Sequence, residues 1–150
     1  MIRVQEEDFD VGAEIAALVR GNHEIGGVVT FVGLVREVTG GAPIAAITLE
    51  HYPGMTERGL AKIEAEANQR WPLSASLIVH RCGRLEPGER IVLVITASAH
   101  RRAAFEACEF LVDWLKTKAP FWKLEETGEG GRWVEARHAD AAAAERWTKG

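Results

Sequence analysis

Little in this chain suits an oxidising environment, a membrane or a polyanion. Its 150 residues hold only two cysteines, Cys82 and Cys108, with no CxxC and no Cys/His cluster. That scarcity excludes a disulfide framework, offers no metal site and implies a reducing, cytoplasmic compartment. No apolar run is long enough to span a bilayer, and the opening MIRVQEEDFD lacks the hydrophobic region of a secretory signal. Positive charge is also in deficit: 18 lysines and arginines stand against 22 aspartates and glutamates, for a net −4. A general nucleic-acid or membrane-surface binder is therefore not expected, although a local basic pocket remains open. No internal repeat is visible, and the only biased segment is the alanine-rich tail.

What remains is 47% hydrophobic and 27% charged, the balance of a globular protein. The length suits a single domain over residues 1–150, able to bury about 68–70% of its unfolded surface. Ile2–Gln5 reads as a short strand. Asp10 then caps a helix over Val11–Arg20, with Ile15, Leu18 and Val19 inward and Gly21 closing it. Gly26–Arg36 is almost continuously apolar and β-branched, the pattern of a strand buried on both faces. A glycine-rich loop, Glu37–Pro43, follows it. Ile44–Tyr52 is the next strand, and Met55–Trp71 a helix whose inner side carries Leu60, Ile63, Ala67 and Trp71.

Ser76–Cys82 and Arg90–Ala97 read as strands, with Glu86-Pro87-Gly88-Glu89 placed for a type II turn. After a long helix come strands at Phe121–Glu126 and Arg132–Ala136, separated by a loop at Thr127–Gly131, then a short helix at Asp140–Trp147. The class is α+β: a mixed, mainly antiparallel sheet with helices packed against it. His51 reads as a packed or hydrogen-bonded strand-end histidine. His80 has no ligand partner at metal spacing, which favours a core or interface role.

The long helix, within Ser98–Lys123, carries the chemistry. Ala104, Cys108, Leu111 and Leu115 recur at i, i+4, i+7 and i+11, with Phe105 and Val112 widening the stripe. Ser98 is placed as its N-cap and Pro120 ends it, since the residue before proline is pushed out of the helical region. His100, Arg101 and Arg102 crowd the first turn, where the helix dipole disfavours cations by roughly 0.3–1 kcal/mol each. Two readings stand: an anion site built from guanidinium groups and free N–H groups, or arginines paired with surface carboxylates. Arg36 divides the same way, between a solvated strand end and a third positive group for the anion.

At the far end, Lys118 fits a simple dipole complement, whereas Lys116 and Lys123 are candidate acid/base or nucleophilic groups. Lys116 lies sixteen residues beyond His100. In a continuous helix that is about 24 Å. One small-molecule site cannot take both from the same chain, so a shared site requires a second copy, most simply in a two-fold dimer.

Several segments then carry a family resemblance: FVGLVR (31–36), LEHYPGM (49–55), HRCGRLEPGE (80–89), SAHRRAAFEAC (98–108), LKTKAPFWKLE (115–125) and RWVEAR (132–137). Together they resemble the large, catalytic subunit of molybdopterin synthase, almost end to end. The resemblance implies an α/β hammerhead-type fold and a homodimer. It also implies a small ubiquitin-like sulfur-carrier subunit on each copy, giving a heterotetramer. The carrier's C-terminal Gly-Gly thiocarboxylate would deliver two sulfurs to cyclic pyranopterin monophosphate (precursor Z), making the dithiolene of molybdopterin, with no bound cofactor.

Residue by residue, the resemblance assigns Arg36, His100 and Arg101 to the pterin-phosphate pocket, and Arg137 as a further basic group there. It puts Lys116 where the carrier's terminal glycine arrives and Lys123 beside the substrate, both as catalytic residues. Leu34, Val35, Leu124 and Glu125 flank these as main-chain contacts; Leu124 stands where relatives often carry a basic residue. The physical task is to hold a cyclic phosphate and a thiocarboxylate together, which needs several cations in a partly dry cleft. Clustered Arg36, Arg101 and Arg137 would favour a neutral lysine able to accept a proton. Two rivals differ in kind: a persulfide-type sulfurtransferase using Cys82 or Cys108, and a non-catalytic phosphate- or nucleotide-binding module.

Overall fold

The structure is a computed structural model that describes residues 1–39, 42–127, 130–134 and 145–148. Its strands are β1 (Ile2–Gln5), β2 (Gly27–Leu34), β3 (Val38–Thr39), β4 (Ala42–Pro43), β5 (Ala46–His51), β6 (Leu73–Arg81), β7 (Gly83–Leu85), β8 (Arg90–Ser98), β9 (Phe121–Thr127) and β10 (Gly130–Val134). Three helices accompany them among the described residues: α1 (Val11–Val19), α2 (Met55–Arg70) and α3 (Arg101–Thr117). The α+β class with mainly antiparallel strands is the one the pattern predicts. The strands divide between two four-stranded sheets, β1-β6-β8-β2 and β10-β9-β5-β7, plus the β3-β4 ribbon. Among the described residues, only β1 and β6 pair in parallel. The short helix expected at Asp140–Trp147 falls largely outside the described residues.

The helices form where apolar spacing and caps coincide. The Asp10 side chain accepts the Ala13 N–H at 2.9 Å and starts α1. At α2, the Glu57 carboxylate returns to the Gly54 N–H at 2.8 Å. Leu60, Ile63 and Ala67 of α2 meet Cys108, Phe110 and Leu111 of α3 over Ile78, Val92 and Val94 of the first sheet. Each such aliphatic side chain taken fully from water contributes roughly 1.5–3 kcal/mol. On the other face of this sheet, Ile15 and Leu18 of α1 cover Leu77, Val79, Leu93 and Ile95. A third cluster, Val35, Ile44, Ile47, Leu49 and Leu85, lies under the second sheet. Among the described residues, no helix is long and apolar enough to cross a membrane.

Three expectations need correction. The Gly26–Arg36 run is not a doubly buried central strand: β2 is an edge strand, half-exposed along most of its length, with Val28 and Leu34 open to solvent. A continuous apolar run has no period that separates one buried face from two. Ser98 does not cap α3. It ends β8, buried, with its hydroxyl donating to the Pro72 carbonyl at 2.8 Å, and His100 holds the N-cap position without a side-chain cap bond. Phe105 leaves the apolar stripe and is 59% exposed, because the buried face runs through Ala104, Ala107, Cys108 and Leu111.

The strand-to-helix turn at His100 is held close by glycine. The Gly26 N–H donates to the Ser98 carbonyl at 3.0 Å, and any Cβ at Gly26 would collide with the Ala99 carbonyl oxygen. Backbone against backbone cannot yield as a flexible side chain can, so only glycine fits there.

Candidate functional site

The sheet that carries α3 has two ends, and the expected residues divide between them. β2 runs antiparallel to β8, with Gly27 opposite Ser98 and Leu34 opposite Arg90. Helix α3 leaves the Ser98 end of β8 and returns along the sheet, packing on β2 and β8. His100 and Arg101 therefore stand at one end, while Arg36 and Lys116 share the other. The length of α3, about 24 Å, keeps the two groups apart.

At the first end, His100 and Arg101 are exposed, and Arg101 makes no ion pair to another described residue. Arg102 behaves differently: its Nε donates to Glu106 at 2.9 Å, one helical turn on, and that pairing holds the Glu106 carboxyl below its usual range. The surface-pair reading suits Arg102 and leaves His100 and Arg101 for an anion. The first turn of α3 holds no acidic residue to compensate them.

At the second end, α3 closes at Thr117, the chain turns through Pro120, and β9 begins at Phe121. Lys123 and Glu125 alternate along β9 and so share a face. The Lys123 ammonium lies 3.7 Å from a Glu125 carboxylate oxygen; Lys123 is 39% exposed and Glu125 fully buried. Among the described residues of this protomer the charge set against Lys123 is a carboxylate, and Arg36 is exposed past the end of β2. Arg137 lies outside the described residues. Leu124 is on the opposite face with Trp122 and Trp133, both of them half-exposed. Both main-chain groups of Val35 are already engaged, its N–H with the Glu89 carbonyl at 2.9 Å and its carbonyl with the Gly88 N–H at 2.8 Å. Val35 is buried and Leu34 exposed, so Leu34 is the more accessible of the pair.

Two groups near Lys116 and Lys123 make side-chain contacts that the sequence reading did not give. Glu125 was expected to offer main chain only, yet its side chain is the buried partner of Lys123; its alternation with Lys123 along a strand was the available signal. His80 is buried, as the strand pattern predicts, with its ring stacked on Phe121 at 3.9 Å between centroids. Its Nδ1 lies 2.8 Å from the Arg81 carbonyl oxygen, which can only accept, so Nδ1 carries the proton. Burial above all, with Lys116 and His51 adding to it, lowers the His80 pKa to about 4. His51 sits nearby, 3.9 Å from Glu57 and tilted against Phe121.

That burial has a measurable result. With a folded pKa of about 4 against 6.5 for an ordinary histidine, the unfolded chain takes up the extra proton between those values. Stability from this residue is intact above pH 6.5 and is lost as the pH falls through that window, by about 2 kcal/mol at roughly pH 5. Urea titrations at neutral and acid pH should show this loss in the wild type and its absence in His80→Phe. An equal acid loss in both proteins would assign it to other groups.

Neither thiol is prepared for nucleophilic work. Burial pushes Cys108 up to about 11, and burial with the nearby Glu6 and Glu7 raises Cys82. A thiolate is the reactive form, so both positions oppose a persulfide route. Among the described residues, no group of three or more His, Cys, Asp or Glu side chains is placed to hold a metal ion.

Comparison with known proteins gives one consistent result. The family model described as MoaE protein matches residues 4–118. A molybdopterin synthase catalytic subunit of Pseudomonas aeruginosa is 61% identical over 146 residues, covering 97% of each chain. Among solved structures, the molybdopterin biosynthesis MoaE protein from Burkholderia ambifaria is 54% identical with a TM-score of 0.85, covering 99% of this chain and 97% of that one. Molybdopterin synthase from Staphylococcus aureus is 33% identical with a TM-score of 0.82, over 88% of this chain and 95% of that one.

Proposed function

Because the chain belongs to the MoaE family, whose curated relatives are molybdopterin synthase catalytic subunits, we propose that its two groups of cations form one composite site for sulfur transfer onto a pterin. It is an enzyme of molybdenum cofactor biosynthesis. Its substrate is cyclic pyranopterin monophosphate, and its sulfur source is the C-terminal thiocarboxylate of a small carrier subunit. The assembly is a homodimer with a carrier on each copy, working in the cytoplasm.

The observation that carries the reading is the division of cations along α3. Arg36, Lys116 and Lys123 belong to one end of a protomer, and His100 with Arg101 to the other. A two-fold dimer lets each copy lend its His100 end to the neighbouring Lys116 end. The cyclic phosphate then meets Arg36 together with His100 and Arg101 from the second copy. The carrier's terminal glycine reaches Lys116, and Lys123 stands beside the pterin side chain. Arg137 is assigned to the same pocket, and Leu34, Val35, Leu124 and Glu125 border it.

The chemistry follows from these roles. The thiocarboxylate sulfur bonds to a side-chain carbon of the pterin as a carbon–oxygen bond there breaks, which gives an acyl thioester with the carrier. The oxygen leaves as the freed ring phosphate oxygen at one carbon and as water at the other. Water then cleaves the acyl–sulfur bond, releasing the carrier as a carboxylate and leaving the sulfur on the pterin. A second carrier repeats the transfer, and the cyclic phosphate opens. Lys116 and Lys123 balance the negative charge and move the proton between the reacting groups.

Reconstitution with thiocarboxylated carrier and cyclic pyranopterin monophosphate tests this directly, with dithiolene product as the readout. The double variant Cys82→Ala, Cys108→Ala should turn over within about twofold of the wild type, since neither thiol takes part. Loss of product in that variant, with the fold intact by circular dichroism, would restore the persulfide route.

A further inference from the structure

The two lysines of the proposed site lie either side of one sharp corner, and the residues pinning that corner come from elsewhere in the fold. The Lys118 N–H closes α3 on the Trp114 carbonyl at 2.8 Å, and the Phe121 N–H turns back to the Ala119 carbonyl at 2.8 Å. Lys116 is in the last turn before this corner and Lys123 is the third residue of the strand after it.

Two contacts grip the corner. From β6, the His80 ring stacks on Phe121 at 3.9 Å and 21°. That contact joins the two sheets, because β6 belongs to the one covered by α3 and β9 to the other. From α2, the fully buried Thr56 donates its hydroxyl to the Pro120 carbonyl at 2.9 Å and accepts the Tyr52 N–H at 2.9 Å. Helix α2 also presses directly on the turn: a Cβ at Gly59 would touch Pro120 and Trp114 at 3.5 Å. Proline and phenylalanine, consecutive in the chain, are thus held from two sides by groups on β6 and α2.

The geometry points to His80 and Thr56 as positioning residues for sulfur transfer, a clamp that sets where Lys116 stands relative to Lys123. This rests on the assignment of both lysines to one site. A histidine suits the task because its Nδ1–H satisfies the Arg81 carbonyl at the end of β6 while its flat face is left for Phe121. A ring there that stays uncharged also adds no second cation beside Lys116.

Kinetics of the reconstituted enzyme with thiocarboxylated carrier decide the matter through two pairs of variants. His80→Ala removes the stack and His80→Phe keeps it; Thr56→Val removes the hydroxyl and Thr56→Ser keeps it. His80→Ala and Thr56→Val should each lower kcat about tenfold or more while leaving KM for the pterin and Kd for the carrier within about twofold, since displacement by an ångström is costly in the transition state. His80→Phe and Thr56→Ser should recover kcat to within about threefold of the wild type.

A wild-type kcat in Thr56→Val or His80→Ala, a loss confined to KM, or equal loss in a variant and its conservative partner overturns the clamp. If His80→Ala fails to fold, the Thr56 pair carries the same decision. Lys123→Ala in the same assay separates the two levels. Full turnover there rejects the site itself, whereas an inactive Lys123→Ala beside fully active clamp variants rejects only the clamp.

Discussion

Lys123→Ala is expected to slow dithiolene formation by about 10²–10⁴-fold, the usual range for removing a positioned proton-transfer group. Lys123 is part-exposed on β9 with its ammonium 3.7 Å from the buried Glu125 carboxylate, so it is held at one side without its side chain being sealed from solvent. Single-turnover measurements with preloaded thiocarboxylated carrier isolate the chemical step from carrier exchange. Lys123→Arg is the informative control. It keeps a cation for the negatively charged substrate and yet cannot give up its proton at any ordinary pH, so it should bind pterin nearly as the wild type and still transfer sulfur slowly. A Lys123→Arg protein with near wild-type turnover would make this residue an electrostatic contact only. Glu125→Gln asks the companion question, whether the buried charge is needed to hold the lysine in place.

The second large effect concerns the partition of one site between two copies. His100→Ala and Lys116→Ala homodimers should each be nearly inactive, because every site in either protein lacks a group. Mixing them under conditions that exchange subunits should restore about a quarter of wild-type activity. Half of the dimers are then mixed, and each mixed dimer holds one complete site of two. If both residues served the site of their own chain, the mixed dimers would contain no complete site and no activity would return. Covalently linked dimers carrying one substitution in each half give the same answer without relying on exchange.

The helices were legible because their apolar spacing runs over many residues: α2 and α3 fall where the 3.6-residue period places them, within a residue or two at each end. The same period gave no warning that Phe105 would face solvent, since one extra apolar residue widens a stripe without saying what lies beyond it. Strand β7, Gly83–Leu85, is three residues long and carries too little pattern to be seen. The division into two sheets depends on pairing between distant segments, such as β5 with β9, and no local signal encodes it. Lys116, Lys123, His100 and Arg101 were singled out by motif resemblance and by the oddity of cations at a helix start, and their assignment to one site is a proposal. The helix length alone showed that they could not meet within one chain. Thr56 and His80 carried no such mark, because a buried threonine and a buried histidine resemble ordinary core residues until the partners across the fold are known.

Helix α3 has a further consequence for how this protein can vary. If each end serves a different site, the helix acts as a gauge whose length registers two reaction centres at once. Adding a single residue within it would turn one end by about 100° and advance it by 1.5 Å relative to the other, spoiling both centres together. Changes in chain length should therefore accumulate in the loops and the tail, while the seventeen residues from Arg101 to Thr117 keep their number.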